Sequence, residues 1–190
     1  MWTLAKPGSG KLTERRSRFL AFAYPVRSRE EIEARLAELK RRFHDARHIA
    51  YAWRLSGEER ADDAGEPAGS AGRPILQLLQ GKGLEGVLVA VVRYFGGVKL
   101  GVGGLARAYR TAARLALEAA GSVELAPEAR LRVRVPLSRV GEALAAASRL
   151  GAKVLAQSYD GEAILELSLP EARAGELAEL LAPWGRVEGG

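Results

Sequence analysis

The sequence predicts two α+β domains joined near residue 127. Three observations carry this. Strand-like and helix-like stretches interleave over residues 1–126, Ala126-Pro127 interrupts them, and a strictly alternating strand beyond opens a βαββαβ order. In the first domain, residues 18–26 read as a strand. Ser28 opens a helix with a capping box, because Glu31 stands where it can reach back to a free N–H at the cap. Ile32, Leu36, Leu39 and Phe43 give that helix one buried face. A second strand spans about 47–55, followed by a polar loop at 56–69. Pro74 fits the first turn of a short helix ending near Gly81 and Gly83. Residues 85–95 read as a strand buried on both faces. A glycine-rich loop at 96–104 then feeds an Ala-rich helix over about 104–120, ended by Gly121.

In the second domain, residues 129–136 alternate, with Leu131, Val133 and Val135 on one face and Arg130, Arg132 and Arg134 on the other. The Arg ladder reads as the wet side of an edge strand, where charge deters pairing. A helix over 138–150, strands near 152–159 and 162–169 around Asp160-Gly161, a helix at 171–182 and a short strand at 184–188 complete the order.

Composition excludes several classes. The chain has 190 residues, 47% of them hydrophobic and 27% charged, a balance unlike that of a disordered tail. Its longest strongly apolar stretch, Val87–Val92, is far short of the roughly 18 residues of a membrane span. Charges from Lys6 to Arg18 interrupt any secretory pattern. There is no Cys, which removes thiol catalysis, disulfides and Cys-based zinc sites and fits a reducing cytosol. A cytoplasmic protein is therefore expected, without membrane association and without a cofactor. The absence of Asn as well as Cys suits a thermophile. Net charge is +6, unevenly placed. Residues 1–126 hold 21 Lys+Arg against 14 Asp+Glu, and residues 127–190 hold 8 against 9.

The most unusual segment runs from Arg93 to Tyr109, with five glycines inside residues 96–104. Free N–H groups at the following helix start would carry partial positive charge. Lys99 and Arg107 add full charges, and Arg107, Arg110 and Arg114 share one helix face, opposite Tyr109, Ala112, Ala113, Ala116 and Ala120. The candidate phosphate contacts are thus Arg93, Lys99, Arg107, Arg110 and Arg114, with the backbone of Gly101, Gly103 and Gly104. Neither a Walker A loop nor a Rossmann fingerprint fits, since Val98 precedes Lys99, Leu100 follows it, and no Rossmann continuation exists.

A second candidate is the carboxylate loop. Asp62, Asp63 and Glu66 could hold a hard cation, but a polar Gly/Pro-rich loop whose acids favour a nearby helix start is the simpler account, and no metal is expected. His44 and His48 lack a third imidazole or thiolate for zinc. His48 near the 62–66 loop offers acid–base or hydrogen-bond work instead.

Several segments together carry a resemblance. Ser17-Arg-Phe19; Ala46-Arg-His48 with Tyr51-Ala52; Asp62-Asp63-x-Gly65-Glu66-Pro67 with Gly69-Ser-Ala-Gly72-x-Pro74-Ile75; and Arg93-Tyr-Phe-Gly-Gly97-x-Lys99-Leu-Gly101-x-Gly103-Gly104-Leu105 occur in that order. Residues 1–126 resemble the YigZ/IMPACT family on these motifs, and residues 128–190 resemble the ferredoxin-like domain that bacterial members append. Ala64 is a departure, standing between Asp63 and Gly65 where the family runs Asp-Asp-Gly-Glu-Pro. The resemblance implies an N-terminal ribosomal-protein domain-2-like α/β sandwich with a left-handed crossover, similar to domain IV of elongation factor G. It also implies a C-terminal domain similar to that factor's ferredoxin-like domains. Eukaryotic members regulate translation through protein contacts with a general-control factor, using a different extra domain.

The leading expectation is a translation-associated regulatory protein, not an enzyme, which binds RNA or a ribosome-associated partner through the basic domain. Aromatic residues make up only 6% of the chain, which gives base stacking little support. The alternatives are an enzyme or nucleotide/phosphate binder whose site is formed by His48, the Asp62–Glu66 loop and the glycine-rich loop, with His48 and Glu66 as its catalytic residues, and a protein-docking module.

Overall fold

Val87–Tyr94 is buried along all but its last residue and forms the middle of a five-stranded sheet. The computed structural model describes residues 1–189. It divides the chain into two units, Met1–Leu125 and Ala126–Gly190.

The first unit runs β1 (Trp2–Leu4), β2 (Gly8–Glu14), β3 (Ser17–Pro25), α1 (Arg29–Arg42), β4 (His48–Leu55), β5 (Glu58–Asp62), α2 (Gly72–Gly81), β6 (Val87–Tyr94), α3 (Gly101–Ala120) and β7 (Ser122–Glu124). The sheet order is β2-β3-β6-β4-β5, and every neighbouring pair is antiparallel. β3 and β4 therefore run parallel to each other, with β6 inserted between them. β1 and β7 pair separately.

Helices cover both faces of this sheet, which is why β6 has no polar side. Val87, Val89 and Val91 join Phe19, Ala21, Ile75, Leu79, Tyr109 and the alanines of α3. Leu88 and Ala90 turn the other way and pack with Tyr24, Ile32, Leu39 and Trp53 under α1. α1 begins as its capping residues require: Ser28 Oγ accepts from Glu31 N at 3.2 Å. Glu31 reaches back one residue beyond the cap, to the N–H of Arg27 at 2.8 Å.

The polar loop expected at 56–69 is partly a strand. Ser56 and Gly57, at φ 52° and 80°, turn β4 into β5, an edge strand with four exposed residues of five. Its pairing rests on backbone hydrogen bonds, so apolar periodicity does not reveal it. α3 begins at Gly101, three residues before the expected start. Three glycines inside the first turn disguise it as loop, because glycine weakens helical propensity.

In the second unit β8 (Glu128–Val135) leads through a 3-10 turn at 137–139 to α4 (Val140–Arg149). Then follow β9 (Lys153–Tyr159), β10 (Ala163–Pro170), α5 (Glu171–Leu181) and β11 (Arg186–Gly189). The sheet order is β11-β8-β10-β9, all antiparallel, as in ferredoxin-like folds. Val133, Val135, Leu165, Leu167 and Leu169 pack against Ala143, Ala147, Leu177 and Leu181. β8 is an interior strand, so the edge reading of Arg130, Arg132 and Arg134 is corrected. Glu166 pairs with Arg132, and Glu162 and Glu188 pair with Arg134; cross-strand charge pairing, not edge protection, accounts for these two arginines.

β2 lies directly on α3. A Cβ added at Gly8 would fall 2.4 Å from both the carbonyl oxygen of Ala116 and the amide nitrogen of Ala120. Backbone there cannot yield as a side chain does. Gly8→Ala is expected to lower stability by about 1–3 kcal/mol, read as a fall in the denaturation midpoint. An unchanged midpoint would show that β2 does not press on α3.

Candidate functional site

Arg93, near the end of β6, lies opposite Phe19 on β3 and His48 on β4. Its guanidinium is buried, and its Nη1 donates to Glu66 Oε1 and Oε2 at 2.8 and 2.9 Å. The side chains of Arg93 and Glu66 are only 7% and 3% exposed. Tyr109, fully buried on α3, donates its hydroxyl to Glu66 Oε2 at 2.5 Å. Burial first, then the adjacent carboxylate, holds that hydroxyl far above its ordinary pKa, so it remains a donor. His48 Nε2 lies 3.4 Å from Glu66 Oε1, and Nδ1 lies 2.8 Å from the Ala64 carbonyl oxygen. Both imidazole nitrogens thus face acceptors, and a neutral ring can donate to only one of them.

These contacts use the Glu66 carboxylate on both oxygens. Arg93 Nη2 also donates to Ser17 Oγ at 3.4 Å, whereas its buried Nε has no partner among the described residues. Charge and position in the sequence group Arg93 with the phosphate contacts, and the structure corrects this. The fold withdraws Arg93 into the interior and neutralises it with Glu66.

The neighbouring carboxylates serve the loop itself. Asp63 Oδ1 accepts from the N–H groups of Ala71 and Gly72, and Oδ2 accepts from Gly69. Asp62 Oδ1 accepts from Ala64. Ala64 and Gly65 take left-handed conformations, φ 50° and 83°, so the additional residue is absorbed in a tight turn that leaves Glu66 facing Arg93. Among the described residues no three His, Asp or Glu side chains converge as a cation site. Asp62, Asp63 and Glu66 point into separate hydrogen-bond sets.

The glycine-rich segment builds a different feature. α3 starts at Leu100-Gly101 with no side-chain cap and no acid in its first turn. Beside it a cleft of about 260 Å³ is lined by Leu12, Glu14, Arg15, Leu100, Gly104, Arg107, Ala108 and Thr111. Arg15 belongs to the β2–β3 turn, and its Nη1 approaches the Lys99 carbonyl oxygen at 3.5 Å. Lys99, Gly101, Gly103, Arg107, Arg110 and Arg114 are all exposed, and Gly104 is half-buried. None of these cations is in an ion pair among the described residues. His48 and Glu66 meet, but neither lines this cleft. Sequence reading misses Arg15 at the cleft and the hydroxyls of Ser17 and Tyr109. Ser17 lies within the Ser17-Arg18-Phe19 motif, but the periodicity of α3 identifies Tyr109 only as a packing residue.

Two consequences can be measured. Burial raises the Asp63 carboxyl pKa, but hydrogen bonds from Gly69, Gly72 and Ala71 outweigh that and lower it overall. Its stabilisation is therefore complete above the unfolded carboxylate value of about 3.9 and is lost as pH falls through the lower folded value. Asp63→Asn should cost about 1–3 kcal/mol at neutral pH and flatten the acid side of a plot of Tm against pH. An unaltered acid side would contradict the assignment. Separately, Glu66→Ala and Arg93→Ala should each cost about 3–5 kcal/mol, because each strands a buried charge. The double variant should cost clearly less than their sum in denaturant unfolding, and strict additivity would rule out the pairing.

Comparison with known proteins agrees with this architecture. Residues 15–117 match the family model of the Impact N-terminal domain. A Thermus thermophilus protein described as an IMPACT family member in the pol 5' region is 49% identical over 126 residues, which is 66% of this chain and 69% of that protein. The Escherichia coli (strain K12) IMPACT family member YigZ is 29% identical over 177 residues, covering 90% of this chain and 87% of that protein. A solved crystal structure, described as that of a hypothetical protein, aligns with 96% of this chain and 91% of its own, at 28% identity and a TM-score of 0.86. The matched stretch includes Ser17, His48, Glu66, Arg93 and Tyr109, every member of the buried network, and the chain belongs to the IMPACT family.

Proposed function

We propose that the chain is a cytoplasmic, translation-associated regulatory protein whose N-terminal unit binds RNA through phosphate contacts. Family membership supports the regulatory part, since the resemblance drawn from the sequence implies translation control among eukaryotic members. One observation carries the phosphate part. The 20-residue helix α3 has an uncapped, acid-free start, and the cleft beside it carries Arg15 and Arg107 against a single carboxylate, Glu14.

Arg107 stands in the second turn of α3 and lines the cleft, where its charge meets a bound anion. Lys99, Arg110 and Arg114 extend the exposed charge along the same segment, so a phosphate chain meets several cations in succession. The Glu66–Arg93 network holds the end of β6, immediately before this segment, in a fixed position. Catalysis by Glu66 finds no such support, because its carboxylate oxygens already accept from Arg93 and Tyr109.

Electrostatic contact with phosphates releases counterions, and affinity then falls with salt. Binding of RNA should weaken steeply from low to moderate salt. Replacing Arg107 and Arg110 together by Ala should reduce the slope of log affinity against log salt by about 0.7 for each phosphate that is no longer neutralised. Fluorescence anisotropy checks this; affinity indifferent to salt and to both substitutions would overturn the reading.

A further inference from the structure

We infer that Phe95 is a stacking platform for an unpaired base, so that the RNA partner of the N-terminal unit is single-stranded at this point. The inference rests on the phosphate-binding reading above and adds to it a contact of different chemistry.

Phe95 follows β6 directly and is 53% exposed. Its place is fixed from beneath. The Arg93 guanidinium carbon lies 5.5 Å from the centre of the Phe95 ring, and Arg93 is itself held by Glu66. The next residue, Gly96, donates its N–H to Ser17 Oγ at 3.3 Å. A Cβ on Gly96 would fall 2.1 Å from the carbonyl carbon of Arg16, so the main chain beside the ring is closely seated on the β2–β3 turn. Gly97, at φ +87°, then turns the chain onward. Leaving such a ring half in water forgoes part of the roughly 1.5–3 kcal/mol that full burial of a large apolar side chain contributes. Val98 and Val102 on the same segment are also exposed.

What surrounds the ring decides between partners. Arg15, Arg16 and Arg18 are exposed on the turn and strand that touch Gly96 and Tyr94. The Arg18 guanidinium stacks over Tyr94 at 4.9 Å. Lys99 and Arg107 follow in sequence. Of the nearby acids, Asp45 accepts the Tyr94 hydroxyl at 2.7 Å, and Glu14 lies in the cleft.

A seated, half-exposed aromatic ring with exposed cations on the adjoining turn, strand and glycine-rich segment is the combination that binds single strands, where bases stack on rings while cations follow the backbone. Duplex RNA keeps its bases stacked within the helix and offers no free face.

The test uses the full chain and a short single-stranded RNA carrying a fluorescent adenine analogue, with a duplex of the same length as reference. The native chain should change the analogue's fluorescence and bind the single strand more tightly than the duplex. Phe95→Leu keeps apolar bulk but loses the ring face. It should weaken single-strand binding about tenfold, abolish the fluorescence change, and leave duplex affinity and the salt slope as they were. Phe95→Tyr should retain native behaviour. Native single-strand affinity in Phe95→Leu, or equal loss on both RNAs, would overturn the stacking role while leaving the phosphate reading standing. Failure of the native chain to bind either RNA would overturn both.

Discussion

The first unit depends on one buried ion pair, Glu66 with Arg93. Five segments supply its surroundings: β3 through Ser17 and Phe19, β4 through His48, the 62–72 loop through Glu66, β6 through Arg93 and α3 through Tyr109. A buried charge pair costs less the more of its hydrogen-bonding capacity is met; among the described residues only Arg93 Nε of this pair lacks a partner. Each oxygen of Glu66 is met, and Phe19 packs edge-on against Tyr109 at 5.2 Å to close the site. Because every partner must be present together, the pair fixes how the carboxylate loop, the end of the central strand and the following helix are placed.

The same constraint divides labour among the sequence motifs. Asp63 holds its own loop closed through three backbone N–H groups, and that loop delivers Glu66 inward. Arg93 anchors the end of β6, so the glycines after it can present cations and a ring outward on a rigid base. Inner and outer halves of the Arg93-to-Tyr109 stretch therefore have opposite chemistry. The two ends, Arg93 and Tyr109, are structural and buried, whereas Phe95, Lys99 and Arg107 between them face water.

Where apolar periodicity determines structure, the sequence is readable. β6, α1 with its capping box, and the alternating strand β8 all fall where their side chains require. Where backbone hydrogen bonding decides, it is not. β2 is Gly-Ser-Gly-Lys-Leu-Thr-Glu, and β5 is mostly charged; neither has an apolar stripe to mark it. At the site, residue type announces charge but not burial, which is why Arg93 reads as one of the exposed cations. Tyr109 and Glu66 stand 43 positions apart, and nothing local couples them. Low aromatic content argues against stacking, but one ring in the right place matters more than the 6% average.

The position of β6 between β3 and β4 has a consequence for synthesis on the ribosome. The β2–β3 and β4–β5 hairpins can form from short stretches as the chain emerges. They cannot join, because the strand that separates them arrives last: Arg18 waits for Tyr94, its partner in the ladder. Long-range pairing of this kind slows folding, since loop closure must precede any reward from contact. The first unit therefore remains an incomplete sheet, with the edges of β3 and β4 open, until β6 has left the exit tunnel. Until it pairs with them, the run Val87–Val92 is an uncharged, β-branched-rich segment of the kind that aggregates when exposed.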